Sequence, residues 1–357
     1  MNKILVTGGS GFIGSNFINY LFDLENFDGI FVNVDKLTYA GNPENLKDIS
    51  EKHENYRYFF EKIDIIDYDR LEQVFLKYKP NIIVHFAAES HVDRSIHGPR
   101  EFINTNIMGT FNLLECARKH WDDYSGKLFH HVSTDEVYGS LKDEGYFYEN
   151  TAYDPHSPYS ASKASSDHLV SSYFHTYGLP VTISNCSNNY GPLQFPEKLI
   201  PVMIDNMLEE KPLPIYGQGL NVRDWLYVED HCRAIWEIIQ NGRKGGTYNV
   251  GGENEIRNID IVNTLCEKMA EIKGKDIDYY KNLITYVKDR PGHDWRYAIN
   301  MDKIKAELFF KPSVTFEEGI TKTIKWYLSN PEWIENIKSG EYRKWIEKNY
   351  DLRDSEK

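Results

Sequence analysis

Tyr159 and Lys163 stand four residues apart in Pro158-Tyr159-Ser160-Ala161-Ser162-Lys163. On a helix that spacing puts both side chains on one face, one turn apart. A free tyrosine has a pKa of about 10 and is a poor base at neutral pH. A neighbouring ammonium stabilises the phenolate and lowers that value, so the pair can take the proton of an alcohol. The spacing alone also occurs between exposed helix residues, and its meaning depends on what lies upstream. A second group is Ser133-Thr134-Asp135-Glu136, where an apolar run stops at two adjacent carboxylates with no basic neighbour. In a dry pocket two such acids resist ionising together, which leaves one proton donor and one base. At a solvated strand end the same dipeptide does no chemistry.

Upstream lies Val6-Thr7-Gly8-Gly9-Ser10-Gly11-Phe12-Ile13-Gly14, between a strand-like run and a helical pattern. Gly8 permits a sharp turn, Gly11 permits close approach of a pyrophosphate, and Gly14 permits tight helix–strand packing. The helix N-terminus then offers free N–H groups and a positive dipole end. Asp35 falls at the end of the second strand, 21 residues beyond Gly14. An acid there accepts from the adenosine ribose hydroxyls and repels a 2′-phosphate, which favours NAD over NADP. Asp64 and Ile65 end the third strand, within reach of an adenine. Phe86, Ala87, Ala88 and Ser90 end the fourth, where small residues let backbone lie against a cofactor. With a dinucleotide present, Lys163 also gains a role in holding the nicotinamide ribose.

The elements that position these groups follow from periodicity. Residues 3–7, 30–35, 56–64, 81–88 and 127–133 are short apolar runs, continuous rather than alternating, as in strands buried on both faces. Residues 12–23, 69–78 and 100–120 carry helical spacing between them, and a further helix runs from Pro158 to Tyr177, ended by Gly178 and Pro180. Residues 181–185 and 247–251 read as two more strands. This alternation predicts an α/β fold: a Rossmann-type doubly wound parallel sheet over residues 1–180, with a smaller C-terminal α/β substrate domain over 181–349. Segments near 220–250 are expected to return to the first sheet, and 350–357 form a polar tail.

Composition narrows the function classes. The chain has 357 residues, enough for two domains. With 41 basic and 54 acidic side chains its net charge is −13, which argues against general affinity for nucleic acid or anionic membrane. No run of 18 or more apolar residues suggests a bilayer span. The start, MNKILVTGG, enters a strand at once without a signal peptide's apolar stretch. Cys116, Cys186, Cys232 and Cys266 are far apart, form no CxxC pair and suit reduced thiols in a cytoplasmic protein. No constellation with metal-ligand spacing stands out.

Gly8–Gly14, Asp35, Tyr159 and Lys163 together resemble the extended short-chain dehydrogenase/reductase family. Longer stretches narrow the likeness: LTYAGN (37–42), FAAESHVDRSI (86–96), VSTDEVYG (132–139), SNNYGPLQFPEKLIP (187–201), RDWLYVEDH (223–231) and DRPGHDWRYAI (289–299). These resemble the dTDP-glucose 4,6-dehydratases over residues 3 to about 328. Trp295 and Asn300 depart from that pattern, and His130 and His131 are unusually polar for the strand that holds them.

The resemblance gives the tandem acids separate work. Tyr159 takes the C4 hydroxyl proton while hydride passes from C4 to NAD, and Thr134 binds the C4 oxygen. Glu136 then acts as base at C5, Asp135 as acid to the departing C6 hydroxyl, and hydride returns to C6. It further implies that Phe12, Ile13, Lys36, Leu37, Thr38, Thr105 and Asn189 contact the cofactor. Ser90, Thr134, Asn188, Lys198, Leu199, Pro214, Ile215, Tyr216, Arg223, Asn258, Arg290 and His293 would line the pocket of a nucleotide-sugar substrate. Arginine suits its diphosphate because the planar fork donates two hydrogen bonds at once. A 4,6-dehydratase of another nucleotide sugar, a 4-epimerase, and a non-catalytic dinucleotide sensor are the alternatives. The epimerase conflicts with Asp135-Glu136, and the sensor would be expected to have lost Tyr159, Lys163 or the acids. Family members commonly form homodimers through helices equivalent to about 100–120 and 158–177.

Overall fold

The computed structural model describes residues 2–25, 27–289 and 293–338. Arg290 and everything beyond Lys338, including the 350–357 segment, therefore lie outside the described residues. In chain order the strands are β1 (Asn2–Thr7), β2 (Gly29–Asp35), β3 (Tyr58–Lys62), β4 (Ile82–His85), β5 (Leu128–Thr134), β6 (Val181–Cys186), β7 (Asn188–Tyr190), β8 (Leu213–Tyr216), β9 (Val222–Tyr227), β10 (Gly246–Val250), β11 (Glu255–Arg257) and β12 (Ile284–Val287). Seven of them form one parallel sheet in the order β10-β6-β5-β4-β1-β2-β3. Side chains of a strand alternate between faces, and β1 shows the result. Ile4 and Val6 pack with Phe17, Ile18 and Leu21 of helix Phe12–Asp23 and with Cys232 and Ile235 of helix Val228–Asn241. Leu5 faces the other way, in a core with Leu71, Leu113 and Val170 from helices Tyr68–Tyr78, Thr110–His120 and Pro158–Tyr177. Covered on both faces, the central strands carry the continuous apolarity seen in the sequence.

Strand order reverses between β1 and β4, where successive connections leave toward opposite edges. That switch opens a crevice beyond the carboxyl ends of the strands. Thr7, Asp35, His85 and Thr134 end β1, β2, β4 and β5 there. Of the stretch 220–250, β10 joins this sheet beside β6, while β9 pairs with β7 and β11. β8 pairs with β12. A separate core built on Ile200, Ile204, Ile261, Leu265, Ile320 and Ile324 supports these later strands and forms the far wall of the crevice.

Helix Pro158–Tyr177 begins as its sequence predicts. Ser157 and Ser160 form a reciprocal capping box, Pro158 takes the first turn, and Gly178 ends the helix at φ +68. The helix expected over 100–120 is broken into Pro99–Phe102, a wider π-helical turn Ile103–Gly109, and Thr110–His120. Asn106 explains the widening. Its amide bonds both the N–H (2.9 Å) and the carbonyl (3.0 Å) of Glu89 and also donates to Ser162 Oγ at 2.8 Å. Gly109 lies so close to Ile65 that a Cβ would meet its Cδ1 at 2.4 Å. Such turns cluster at functional sites, and this one carries Thr105. No helix among the described residues is long and apolar enough to cross a membrane.

Candidate active site

The glycine-rich turn leaves β1 with Gly8 at φ +70, and a Cβ on Gly8 would lie 2.7 Å from Ala87 N. On Gly14 a Cβ would lie 2.3 Å from the Gly8 carbonyl oxygen. On Gly9, which the spacing rule ignores, a Cβ would lie 2.3 Å from Asn33 Oδ1. Gly11 is less crowded: a Cβ there would lie 3.3 Å from the Gly8 carbonyl oxygen, and the residue lines the crevice. It also caps helix Phe12–Asp23 with no side chain, leaving the first N–H groups directed at the crevice.

Asp35 is buried and oriented by two backbone donors, Ser10 N–H at 3.0 Å and Leu37 N–H at 2.8 Å. Burial raises its pKa, and those two bonds act against the rise. Each oxygen keeps acceptor capacity for a ribose hydroxyl. Lys36 pairs with Asp64 at 3.4 Å. Thr105 Oγ1 is buried without a hydrogen-bond partner, a hydroxyl of the kind a bound cofactor satisfies. The residues present thus fit a dinucleotide: an uncapped helix end at a glycine lining the crevice, a fixed acid at the ribose position, and an orphaned hydroxyl between them.

Among the described residues, all the cofactor and substrate contacts expected from the sequence line this one crevice, except Leu37, which serves Asp35 through its backbone. Asp135 and Glu136 occupy a short 3-10 turn directly after β5, capped by Thr134, whose Oγ1 accepts from Glu136 N–H at 3.2 Å. Asp135 is 1% exposed, and its Oδ2 is buried without a hydrogen-bond partner. Burial first, then the carboxylates of Glu136 and Asp224, hold its pKa well above the usual carboxylate range. Glu136 is half-buried.

Tyr159 is buried beside them, and its pKa is held well above the ordinary tyrosine value by burial and by Glu136. The phenolate-stabilising influence of Lys163 is not among the causes acting on it. Lys163 instead donates to the Val132 carbonyl at 2.8 Å, 3.3 Å from His131 Nε2, and burial lowers its pKa to about 8. A protein interior that so disfavours phenolate needs further positive charge to generate it, which an oxidised nicotinamide would add.

On the far wall, the Arg223 guanidinium donates to the carbonyls of Val222 (2.8 Å) and Asp294 (2.9 Å) and lies 4.3 Å from the Tyr297 ring centre. Lys198 donates to the Ser90 carbonyl at 3.2 Å, and His293 sits 2.6 Å from Asp289. Tyr216 meets the His293 ring edge-on at 6.3 Å. Asn189 accepts at Oδ1 opposite His231 Nδ1, 2.8 Å away.

Sequence reasoning missed several crevice residues. Glu197 is buried, 3.3 Å from the Tyr39 hydroxyl and 3.5 Å from Arg94, and burial raises its pKa to about 7. Its place directly before Lys198 was the one available signal. Cys186 and His91, given no role, both line the crevice. Asn45 donates to the Ser10 carbonyl at 3.0 Å and accepts from Trp333 Nε1 at 2.8 Å, tying helix Pro331–Lys338 to the glycine-rich turn.

The family described as GDP-mannose 4,6 dehydratase matches residues 5–323. The dTDP-glucose 4,6-dehydratase of Salmonella typhimurium (strain LT2) is 56% identical, over 98% of this chain and 99% of its own. A dTDP-glucose 4,6-dehydratase from Bacillus anthracis str. Ames, solved in complex with NAD, superposes with a TM-score of 0.83 at 46% identity, covering 94% of this chain and all of the other. One from Streptomyces venezuelae, also with NAD bound, gives 0.85 at 42% identity over 94% of this chain and 99% of that one. With identity this high along its whole length, the chain belongs to the dTDP-glucose 4,6-dehydratase family.

Proposed function

We propose that this protein is an NAD-dependent hydro-lyase that converts dTDP-glucose to dTDP-4-keto-6-deoxyglucose and water. The observation that carries the reading is the acid pair: a buried Asp135, whose pKa burial holds well above the usual carboxylate range, beside a half-buried Glu136, in one crevice with Thr134 and Tyr159. An epimerase has no use for it. NAD, when bound, accepts a hydride from C4 and returns it to C6, so the reaction is redox-neutral.

The chain's own residues handle the protons. Tyr159, aided by Lys163, takes the proton of the C4 hydroxyl, and Thr134 Oγ1 holds that oxygen. The C4 carbonyl acidifies the C5–H, whose proton goes to Glu136. Asp135 gives its proton to the C6 hydroxyl, which leaves as water as the C5–C6 double bond forms. Glu136 then returns a proton to C5, and the proton removed at C4 restores Asp135. Lys198, Arg223 and His293 supply positive charge and donors on the wall assigned to the diphosphate, in a chain whose net charge is otherwise −13.

We further assign a homodimer. Ile96, Ile103, Met108 and Phe111, between 36% and 47% exposed, present apolar surface in and beside the π-helical turn, which supports their burial against a second copy. The four cysteines are all buried and free, which supports a reducing, cytoplasmic setting. Incubation of the purified protein with dTDP-glucose tests the reading. A 4-keto-6-deoxy product one water lighter than the substrate is expected, and a galactose product of unchanged mass would overturn it.

A further inference from the structure

Behind the Tyr159–Lys163 face lies a buried carboxylate that the reaction as described does not use. Asp167 is four residues beyond Lys163 on helix Pro158–Tyr177 and 2% exposed. Its Oδ2 accepts from Ser133 Oγ at 2.8 Å, from the Tyr153 hydroxyl at 3.0 Å and from Asn185 Nδ2 at 3.4 Å. Its Oδ1 faces His131 Nε2 at 3.2 Å, and the same ring nitrogen is 3.3 Å from Lys163 Nζ. One imidazole nitrogen thus lies against both the ammonium and the carboxylate, which places the two charges in a single buried cluster.

The charges around Lys163 make this carboxylate its counter-ion. His131 and His85 are fully buried, and burial holds both well below the usual histidine range, so neither is charged at neutral pH. The Cys186 thiol is pushed up to about 12 by burial and stays neutral. Tyr159 is held protonated as well. Asp167, raised by burial to about 6, is ionised at neutral pH. Lys163 is 4% exposed, and a lone ammonium at that depth would tend to shed its proton.

We propose that Asp167 is a positioning residue whose charge, buried one helical turn beyond Lys163, keeps Lys163 seated in the crevice as a cation. The proposal rests on the assignment of Lys163 and Tyr159 to proton removal at C4. A purely structural role, in which Asp167 only ties its helix to β5 and β6, makes different predictions.

Asp167→Asn keeps the shape and removes the charge. It should move the loss of activity at high pH downward by about 1 unit or more and cut turnover at pH 7.5 by about threefold or more. Ser133→Ala removes one hydrogen bond and keeps the charge, so it should leave that limb in place. Thermal melting of Asp167→Asn, Lys163→Met and the double variant needs no substrate and separates the proposal from the assignment of the reaction. Asp167→Asn should destabilise strongly where Lys163 is present and little or not at all in the Lys163→Met background, where it removes the one charge left unpaired. Equal destabilisation in both backgrounds, or a turnover loss uniform across pH, would overturn the proposal.

Discussion

Asp135 and Glu136 are consecutive in the chain and differ in environment: Asp135 is 1% exposed with a buried, unpartnered Oδ2, whereas Glu136 is half-buried with its amide bonded to Thr134 Oγ1. Burial favours the protonated form of Asp135. Elimination of water needs one protonated and one ionised carboxyl at once. Proton transfer by a placed side chain is worth about 10²–10⁴ in rate. Glu136→Gln should therefore slow exchange of the C5 hydrogen with solvent by about that factor while leaving oxidation at C4 intact. Asp135→Asn should preserve C5 exchange and slow loss of water. Mass and NMR analysis of substrate recovered from D2O measures both, and equal loss of the two steps in either variant would refute the division of labour.

Lys163 sets a basic limit on the reaction. Burial lowers its pKa to about 8. Its cation is present below that value and is lost as pH rises through it, so initial rates should fall above about pH 8. A rate that holds to the ordinary lysine range near 10 would contradict the role given to this ammonium.

Gly11 and Gly14 should fail in different ways when given a methyl group. At Gly14 the added Cβ meets backbone 2.3 Å away, so Gly14→Ala should destabilise the protein without cofactor by about 1–3 kcal/mol. At Gly11 the added Cβ would meet only the Gly8 carbonyl oxygen, at 3.3 Å, a contact that a shift of a few tenths of an ångström relieves. Gly11→Ala should melt close to wild type and lose NAD affinity at least tenfold, as read by thermal melts and by titration with NAD.

Trp333 bears on the cofactor turn from the far end of the chain. Trp333→Phe keeps an aromatic ring and removes the donor to Asn45, a bond worth about 1 kcal/mol. The expected result is a several-fold loss of NAD retention on gel filtration with turnover at saturating NAD unchanged.

What could be read from the sequence was local. Gly8–Gly14 with Asp35, and Tyr159 with Lys163, are defined by short spacings that turn, strand and helix geometry translate directly into position. The seven-strand parallel sheet followed from uninterrupted apolar runs. Partners brought together by folding were not legible: His131 reaches Asp167 from another element, and Trp333 reaches Asn45 across 288 residues. The π-helical turn at Ile103–Gly109 escaped for a related reason, since Asn106 forces it by bonding a distant strand end at Glu89. Glu197 was hidden because an isolated glutamate beside a lysine reads as a surface pair until burial is known.

The central claim is that the tandem acids make this a dehydratase. The most direct measurement is turnover of dTDP-glucose by the NAD-loaded protein in D2O, followed by mass spectrometry and NMR of the product. The account predicts a 4-keto-6-deoxy sugar nucleotide, one water lighter than substrate, with one deuterium at C5 and no accumulation of reduced cofactor. A 4-epimer of unchanged mass with hydrogen retained at C5 would contradict it.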